Sequence, residues 1–559
     1  MYNNNLVTMG MCSDNSYVSI IPKMANRHGL IAGATGTGKT VTLKVMAESF
    51  SDAGVPVFLA DVKGDLAGMC MPGNDSEDMQ ERIRKFGLAE KGFSFKSYPT
   101  RFWDIYGQKG MPLRTTITEF GPLLLARLLE LNQVQTDILN IVFKIADDQG
   151  LLLLDIKDLK AILNFCADNS DLFKADYGNI SSKSVAAITR ALVALEDRGG
   201  DRFFGEPAIN VLDWFKNAAD GRGYINILDS ESLINDPLVY STFLLWMLGE
   251  LFEILPEVGD QEKPKMIFFF DEAHLLFTDT PKALLAKVEQ VVKLIRSKGV
   301  GVYFVTQNPK DVPDAVLAQL GNKVQHALRA YTPAEQKGIK AAAQSFRENP
   351  AFKTEDAIEN LGTGEALVSF IQEDGSPSVV QVASILPPQS RMGTIDDNMR
   401  SQVIASDTMR STYNEMVDRD SAYEFLQRKT QEMNEEYERL AEEARVKKEE
   451  AKAAEKAEKE AAKAAEKAER DAMKAAEKAE KEAIKAAEKA EKEAQREKEK
   501  AEMARKRAMK NVASAAIGSV GRELGKNVGD SVGGSLGKTI GGNVGASLGR
   551  GILSTLFKL

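Results

Sequence analysis

The chain has 559 residues, of which 43% are hydrophobic and 27% charged, and a formal net charge of −9. Such a length predicts about two to four domains. The negative net charge excludes a protein that coats nucleic acid through overall positive charge. It does not exclude a local basic channel. The three cysteines, Cys12, Cys70 and Cys166, lie far apart without metal-ligand spacing. This excludes a disulfide framework and a cysteine zinc site and indicates a reducing compartment.

The N-terminal residues carry no basic region followed by an apolar core, which excludes an ordinary secretion signal. No apolar run approaches the roughly 18 residues that a membrane helix needs. We therefore expect a cytoplasmic protein that is not secreted and does not span a membrane.

A phosphate-binding loop is predicted near the start of the chain. The short apolar run 30–32 leads into the letters GATGTGKT, which satisfy GxxxxGK[ST], and a helical pattern follows at once. Glycines let backbone N–H groups surround phosphate, and the helix N-terminus adds its positive dipole end. Lys39 is expected to reach the β- and γ-phosphates of ATP, and Thr40 to bind Mg²⁺. The expected nucleotide-binding residues are Gly33, Ala34, Thr35, Gly36, Thr37, Gly38, Lys39, Thr40 and Val41.

The next predicted strand, Val55–Ala60, ends in the polar letters DVKGD at residues 61–65. In a parallel sheet these residues lie at the same carboxyl edge as the phosphate-binding loop. Two interpretations stay open for Asp61: a contact with magnesium-bound water or nucleic acid, or a cap on the following turn.

An acidic pair follows a third predicted strand, Lys265–Phe270. Asp271 is expected to hold Mg²⁺ through water, and Glu272 to orient the attacking water as a general base. His274 completes the letters DEAH, but the helicases known by those letters need a second RecA-like domain with its own arginine motif, which this sequence does not show.

The predicted strand Val300–Val305 ends in Thr306 and Gln307. P-loop ATPases place a polar sensor of the γ-phosphate at this position, and we assign that role to Gln307. The alternative is a side chain that only caps the strand end.

The order of elements predicts the fold class. Short β-branched or aromatic runs alternate with helical patterns over residues 1–400, which indicates an α/β domain with a parallel sheet. A long charged helix or coiled coil is expected over about 411–510, because the letters AAEKAE recur at Ala453, Ala464, Ala475 and Ala486, a period of 11 residues. A spacer is the simplest role for this segment, and a specific binding surface is the alternative.

The last segment, 511–559, is a glycine-rich tail with its own repeat. An aliphatic residue followed by glycine recurs every four residues from Val520–Gly521 to Leu548–Gly549. Each glycine in a helix costs about 1 kcal/mol relative to alanine, so that close helix packing would have to compensate. Oligomeric packing, a disordered tail and membrane contact are the three interpretations.

The segments that surround these motifs resemble a known family. NRHGLIAGATGTGKT, DVKGDL, FFFDEAHLLF and VYFVTQNPKDVP are similar to the HerA/FtsK-type ATPases, in particular the YjgR family of HerA-like proteins. The resemblance continues through RFWDIYGQKGMPLRTT, GGDRFFGEPA, LGNKVQHALRAYTP, LGTGEALVS and LPPQSRMG, and so covers roughly residues 1–400.

This resemblance implies a RecA-like P-loop ATPase core, with a helical insertion that we place at about 112–222. It also implies assembly as a ring, most simply a hexamer, in which an arginine of one subunit completes the neighbour's site. Arg329, just after the predicted strand Lys323–Leu328, is our candidate, and Arg114 and Arg202 are alternatives. For each of them the competing interpretation is a surface arginine in a salt bridge.

The resemblance has one departure: HerA translocases carry a β-barrel before the P-loop domain, and only 32 residues precede Gly33. We therefore expect no such barrel. Two functions follow as hypotheses: a ring-shaped motor that hydrolyses ATP with Mg²⁺ to move DNA, or an ATPase that assembles or remodels a protein partner through its C-terminal helix and tail. Stimulation of the ATPase by DNA would separate them.

Overall fold

The computed structural model describes residues 2–233, 236–278 and 282–501. The chain divides after Leu426 into two compact units. Every strand that the model describes, and every predicted nucleotide-binding motif, lies in the first unit.

The described strands form one sheet. Across the sheet the order is β1-β2-β13-β12-β11-β4-β10-β9-β5-β8-β6-β7, with β3 paired to β2. These labels stand for β1 (Tyr2–Asn3), β2 (Leu6–Cys12), β3 (Tyr17–Ile20), β4 (Gly29–Ala32), β5 (Val57–Asp61), β6 (Thr100–Asp104), β7 (Met111–Pro112), β8 (Ile225–Asp229), β9 (Met266–Phe270), β10 (Val300–Thr306), β11 (Asn322–His326), β12 (Glu365–Ser369) and β13 (Gln381–Ile385).

The helices lie mostly between these strands, as in other α/β folds. The first unit contains α1 (Lys39–Asp52), α2 (Glu77–Lys85), α3 (Ile117–Leu128), α4 (Gln133–Asp148), α5 (Ile156–Asp168), α6 (Ser170–Tyr177), α7 (Ser182–Asp197), α8 (Gly200–Phe203), α9 (Pro237–Ile254), α10 (His274–Phe277), α11 (Lys282–Leu294), α12 (Asp314–Leu317), α13 (Pro333–Gln344), α14 (Thr354–Asn360), α15 (Asp397–Ser406) and α16 (Arg410–Tyr413). The last helix, α17 (Ala422–Ala501), begins in the first unit and continues into the second.

The middle of the sheet is parallel, and its flank is antiparallel. All strands from β11 to β7 in the sheet order pair in parallel, whereas β12, β13, β2, β1 and β3 pair antiparallel. Parallel strands share one carboxyl edge, so the loops after β4, β5, β9 and β10 emerge together. The predicted α/β fold class is confirmed.

The central strands are buried along their whole length. β4, β5, β8, β9 and β10 have no exposed position, as expected for apolar runs in a parallel sheet covered on both faces. The predicted strand bounds agree with the structure to within about two residues.

The strand β10 lies between β4 and β9. Phe304 of β10 is in register with Leu30 on one side and with Phe270 on the other. The phosphate-loop strand and the strand that ends at Asp271 are therefore two strand spacings apart, roughly 10 Å.

Six helices, α3 to α8, run between β7 and β8. Three of them begin with reciprocal capping boxes, at Thr116 with Glu119, Asn132 with Gln135 and Asp155 with Asp158. Side chains at these helix starts satisfy backbone N–H groups that have no partner inside the helix. The range 112–222 stays our proposal for the limits of the helical insertion.

The start of α17 is bound to the start of α5 by one carboxylate. Asp158 Oδ1 accepts hydrogen bonds from Ser421 Oγ at 2.6 Å and from the Tyr423 N–H at 2.7 Å. Its Oδ2 accepts from the Leu154 N–H at 2.8 Å. The buried Asp158 side chain thus serves two helix N-termini at once.

The long charged helix is present, but it starts at Ala422 instead of about residue 411. The short helix α16 and an irregular segment occupy the residues before it. Ion pairs such as Glu455–Lys459 at 2.5 Å and Glu477–Lys481 at 2.6 Å have the favourable i,i+4 order. The glycine-rich tail, 511–559, lies outside the described residues.

The helix α9 corrects one expectation from the sequence. By length and composition it could cross a membrane, with a mean hydropathy of 1.2, although no apolar run of that length was expected. In the protein 61% of this stretch is buried, and the aromatic rings of Phe243 and Trp246 pack against Phe203. A helix that is apolar all round and buried is typical of a protein core.

Candidate functional site

The predicted phosphate-binding loop connects β4 directly to α1. Its backbone is tied to two neighbouring strands, because the Gly33 N–H donates to the Thr306 carbonyl at 3.2 Å and the Ala34 N–H to the Ala327 carbonyl at 2.9 Å. Gly36 and Gly38 have φ values of 78° and 114°, which side chains other than glycine rarely adopt. The glycine spacing is therefore required by the turn into α1.

The Lys39 side chain lies folded over this loop. Its Nζ donates to the Gly33 carbonyl at 2.6 Å and to the Ala34 carbonyl at 3.1 Å. Burial lowers the pKa of Lys39, as does the charge of Lys63, and the carboxylates of Glu272 and Asp271 oppose the shift. Phosphate oxygens would satisfy this ammonium better than two carbonyls do, because they carry charge.

Asp271 follows the end of β9, and one hydrogen bond fixes its backbone while another fixes its side chain. The Tyr240 hydroxyl donates to the Asp271 carbonyl at 2.8 Å, and the Glu272 N–H donates to Asp271 Oδ1 at 2.9 Å. Burial and the neighbouring Glu272 charge raise the pKa of Asp271 to about 6. A cation beside this carboxylate would remove that penalty.

Three side chains surround the Glu272 carboxylate. Gln307 Nε2 lies 3.3 Å from Oε2, Lys63 Nζ lies 3.5 Å from Oε1, and His274 Nδ1 lies 3.4 Å from Oε2. Glu272 is only 6% exposed, and its φ of 46° is in the left-handed region. Such backbone strain costs of order 1–3 kcal/mol and is concentrated at functional sites.

Asp61 ends β5 next to the Asp271 strand. Its Oδ2 accepts from the Leu66 N–H at 3.0 Å, and its buried Oδ1 has no hydrogen-bond partner in the described part of the chain. Burial, together with the charges of Asp65, Asp229 and Asp271, raises the pKa of Asp61 to about 7. The Leu66 contact is the turn cap that one interpretation predicts. The unpaired Oδ1 leaves the other interpretation, a contact with magnesium-bound water or nucleic acid, as a prediction.

The residues at this edge fit a hydrated magnesium ion. They offer oxygen atoms only, from the Thr40 hydroxyl and the carboxylates of Asp271 and Asp61. Within residues 2–233, 236–278 and 282–501 no group of three or more His, Cys, Asp or Glu side chains makes a complete cage. Mg²⁺ usually binds one or two carboxylates and keeps waters and substrate phosphates as its other ligands.

Replacing Asp61 with asparagine is expected to change the pH dependence of stability. The folded-state pKa of about 7 lies well above the ordinary aspartate value of 3.8. Between these two pH values the native protein therefore binds more protons than the unfolded chain does. The free energy of unfolding therefore falls as pH rises from about 4 to 7, by at most about 4 kcal/mol at 1.4 kcal/mol per pKa unit. Asp61→Asn should reduce this fall, as measured by urea unfolding without nucleotide or Mg²⁺.

Tryptophan fluorescence suits that measurement, because Trp103, Trp214 and Trp246 all lie in the first unit. Asp314→Asn, at an exposed site, is the matched control and should leave the pH profile unchanged. An Asp61→Asn profile that coincides with the wild-type profile would show that Asp61 is ionised throughout.

The three candidate arginines are in different surroundings. Arg329 is exposed and donates to the carbonyls of Glu359 and Leu361 in its own chain. Arg114 is buried and donates to the Tyr413 carbonyl at 2.8 Å, and Arg202 is exposed on α8. None of the three contacts the phosphate loop or Glu272 in the described residues, so a role for Arg329 in a neighbouring subunit's site stays a prediction.

Two residues near the site were not predicted from the sequence. Lys63 pairs with Glu272, although it had been noted only as one letter of DVKGD. His326 lies between Thr42 Oγ1, 2.8 Å from its Nε2, and the Glu365 carbonyl, 2.9 Å from its Nδ1. Burial lowers the pKa of His326 to about 4, which keeps the ring neutral. His326 belongs to the segment LGNKVQHALRAYTP, which was quoted only for the family resemblance. Its position beside α1 depends on the pairing of β11 with β4, which the sequence alone does not show.

Three features lie at one carboxyl edge of the sheet: a phosphate loop, an acidic pair two strands away, and a polar residue at the end of the strand between them. Together they define a RecA-like P-loop ATPase fold. The family model described as "Helicase HerA-like C-terminal" matches residues 7–485. The chain belongs to this family.

Curated relatives carry the HerA name. The chain is 22% identical over 369 residues to the "DNA double-strand break repair helicase HerA" of Sulfolobus acidocaldarius. The matched region covers 64% of this chain and 65% of that protein. It is 24% identical over 354 residues to the protein of the same name from Saccharolobus solfataricus, covering 61% of each. The chain thus spans less than two thirds of the length of these relatives.

Two solved structures are similar at 15% identity. The bacterial conjugative coupling protein TrwB has a TM-score of 0.44, with 67% of this chain and 88% of that one covered. VirB4 of Thermoanaerobacter pseudethanolicus has a TM-score of 0.45, with 68% and 97% covered.

Proposed function

We propose that this protein binds ATP together with Mg²⁺ and hydrolyses the bond between the β- and γ-phosphates. The observation that carries the proposal is the position of Glu272, a buried carboxylate one intervening strand away from the phosphate loop, with Gln307 at 3.3 Å. That arrangement suits in-line attack by a water molecule held between Glu272 and a bound γ-phosphate.

Each residue has a distinct task in this reaction. The backbone N–H groups from Gly36 to Val41 and the Lys39 ammonium bind the phosphate oxygens. Glu272 orients the water and accepts its proton. Mg²⁺, held by Thr40 and through water by Asp271, would neutralise charge on the β- and γ-phosphates.

We assign Gln307 the role of γ-phosphate sensor. Its amide lies against both carboxylate oxygens of Glu272, at 3.3 and 3.4 Å. Contact between this amide and a phosphate oxygen would change the orientation of Glu272, which links the presence of the γ-phosphate to the position of the base.

We further propose that hydrolysis moves DNA through a hexameric ring in the cytoplasm, with Arg329 completing the site of the adjacent subunit. The support is membership of the HerA-like family and the helicase names of the relatives. This protein's own substrate and ring size are part of the proposal.

ATPase assays with and without duplex DNA test this proposal. We expect DNA to stimulate turnover, with an affinity that falls steeply as salt rises, because lysines and arginines release counterions from phosphates when they bind. A Lys39→Ala variant provides the background rate. Turnover that DNA leaves unchanged at low salt would contradict the DNA motor and leave the ATPase standing.

Remodelling of a protein partner is the second candidate. It is favoured by α17, whose side chains in the second unit are largely exposed, with Met473 at 69% and Ile484 at 52% exposure, 11 residues apart. On this proposal the exposed length of the helix is the surface that the partner contacts. Turnover without DNA that a protein partner stimulates would support this alternative.

A further inference from the structure

We propose that α2 and the loop 362–365 form the subsite for the ribose and base of the nucleotide, in a cavity of about 460 Å³. This inference rests on the proposed nucleotide binding. It gives a role to residues that lie outside the phosphate-binding loop, the acidic pair and the sensor position. The volume is within the roughly 300–1,000 Å³ range of small-molecule sites.

The cavity is continuous with the phosphate-binding loop. The Gly364 N–H donates to the Thr37 carbonyl at 3.0 Å. A Cβ placed on Gly38 would lie 3.2 Å from the Gly364 Cα, so that the two backbones are in close contact. Phosphates that fill the loop leave the nucleoside to extend over an adjoining surface, and the loop 362–365 is such a surface.

The loop 362–365 is also fixed to α1. His326 contacts the Glu365 carbonyl with one ring nitrogen and Thr42 with the other. Thr42 is one residue beyond the last predicted nucleotide-binding residue, Val41. The cavity is therefore tied to the start of α1, beside the N–H groups expected to bind phosphate.

Arg82 supplies a planar surface for a base. Its guanidinium nitrogens lie 2.7 and 3.0 Å from the point where a Cβ on Gly364 would stand, a space that is open only because residue 364 is glycine. No hydrogen bond or ion pair engages the Arg82 side chain within the described ranges of the chain. Guanidinium groups stack on aromatic faces, and an unpaired one is available to do so.

The charges in the cavity favour a nucleoside over another phosphate. Asp78, Glu81 and Glu365 line it together with Arg82 and Lys85. Glu365 Oε2 accepts from the Gly362 N–H at 2.9 Å, which leaves the other oxygen to accept a hydrogen bond from a ribose hydroxyl. Three carboxylates repel phosphate oxygens and accept from the hydroxyl and amino donors of a nucleoside.

Titration calorimetry with ATP and with inorganic tripolyphosphate tests the assignment. We expect Arg82→Ala to weaken ATP binding about tenfold, equivalent to one lost contact of 1.4 kcal/mol, and to leave tripolyphosphate binding within twofold. Arg84→Ala, at an exposed site of the same helix, is the matched control and should change neither affinity. Arg82→Lys should not restore ATP binding, since an ammonium has no planar face.

A second variant approaches the same contact from the loop. Gly364→Ala would place its methyl group against the guanidinium, and we expect the same selective loss of ATP affinity. Equal losses for ATP and tripolyphosphate in Arg82→Ala would show a phosphate contact and overturn the subsite. Unchanged ATP affinity in Arg82→Ala would also overturn it. Wild-type protein that binds neither ligand would instead overturn the proposed nucleotide function itself.

Discussion

Replacing Glu272 with glutamine is expected to abolish ATP turnover and preserve ATP binding. The amide keeps the size of the side chain and can still contact Gln307, but it cannot accept a proton from water. Loss of a general base lowers rates typically 10²- to 10⁴-fold. Single-turnover hydrolysis and calorimetric ATP binding, measured on the same preparation, separate the two effects.

Glu257→Gln is the control for this experiment, because Glu257 is exposed and remote from the carboxyl edge. Its turnover should match that of the wild type. Normal turnover in Glu272→Gln would mean that another group accepts the proton, with Asp61 the nearest carboxylate of adjacent β5 to test. Loss of ATP binding would show that the variant disturbs the phosphate loop as well.

Replacing Glu48 with alanine is expected to destabilise the first unit by about 3–5 kcal/mol, the cost of breaking a buried charged network. Glu48 lies on α1 and accepts from Ser390 Oγ at 2.5 Å, the Ser390 N–H at 3.0 Å and the Gln389 N–H at 2.8 Å. Four residues earlier, buried Lys44 donates to the Arg391 carbonyl at 2.7 Å. Burial raises the pKa of Glu48. Burial also lowers the pKa of Lys44 to about 8, although the negative charge of Glu48 acts in the opposite direction.

Urea unfolding followed by tryptophan fluorescence measures this loss. The double variant Lys44→Met/Glu48→Leu should be more stable than Glu48→Ala, since it removes both buried charges and keeps side-chain volume. Glu90→Ala, at an exposed site, should stay within about 0.5 kcal/mol of the wild type. A loss below about 1 kcal/mol for Glu48→Ala would show that the segment after β13 does not depend on this carboxylate.

The elements that carry the nucleotide motifs could be predicted because their signals are local. A buried strand is recognised in the sequence as an apolar run. The residue that follows the strand lies at an edge of the sheet, and this does not depend on the rest of the fold. For this reason Lys39, Asp271, Glu272 and Gln307 were found from their neighbours in sequence alone, and the structure brings Gln307 to Glu272.

The contacts that join distant segments could not be predicted in this way. The loop 362–365 contacts the phosphate loop only because β12 is the neighbour of β11 in the sheet. Glu48 contacts Ser390 only because the chain after β13 returns to α1. The helix α9 was missed for another reason: its polar residues are scattered among apolar ones, and a buried helix has no amphipathic period to detect.

The position of β4 has a consequence for synthesis of the protein. Both of its neighbours in the sheet, β10 and β11, come from residues 300–326. As the ribosome releases the chain, the strand that leads into the phosphate loop has two unpaired edges until residues 300–326 have emerged. Such late pairing slows folding and exposes apolar strands to aggregation, so newly made chains have a long period in which a chaperone that shields β4 would raise the yield of folded protein.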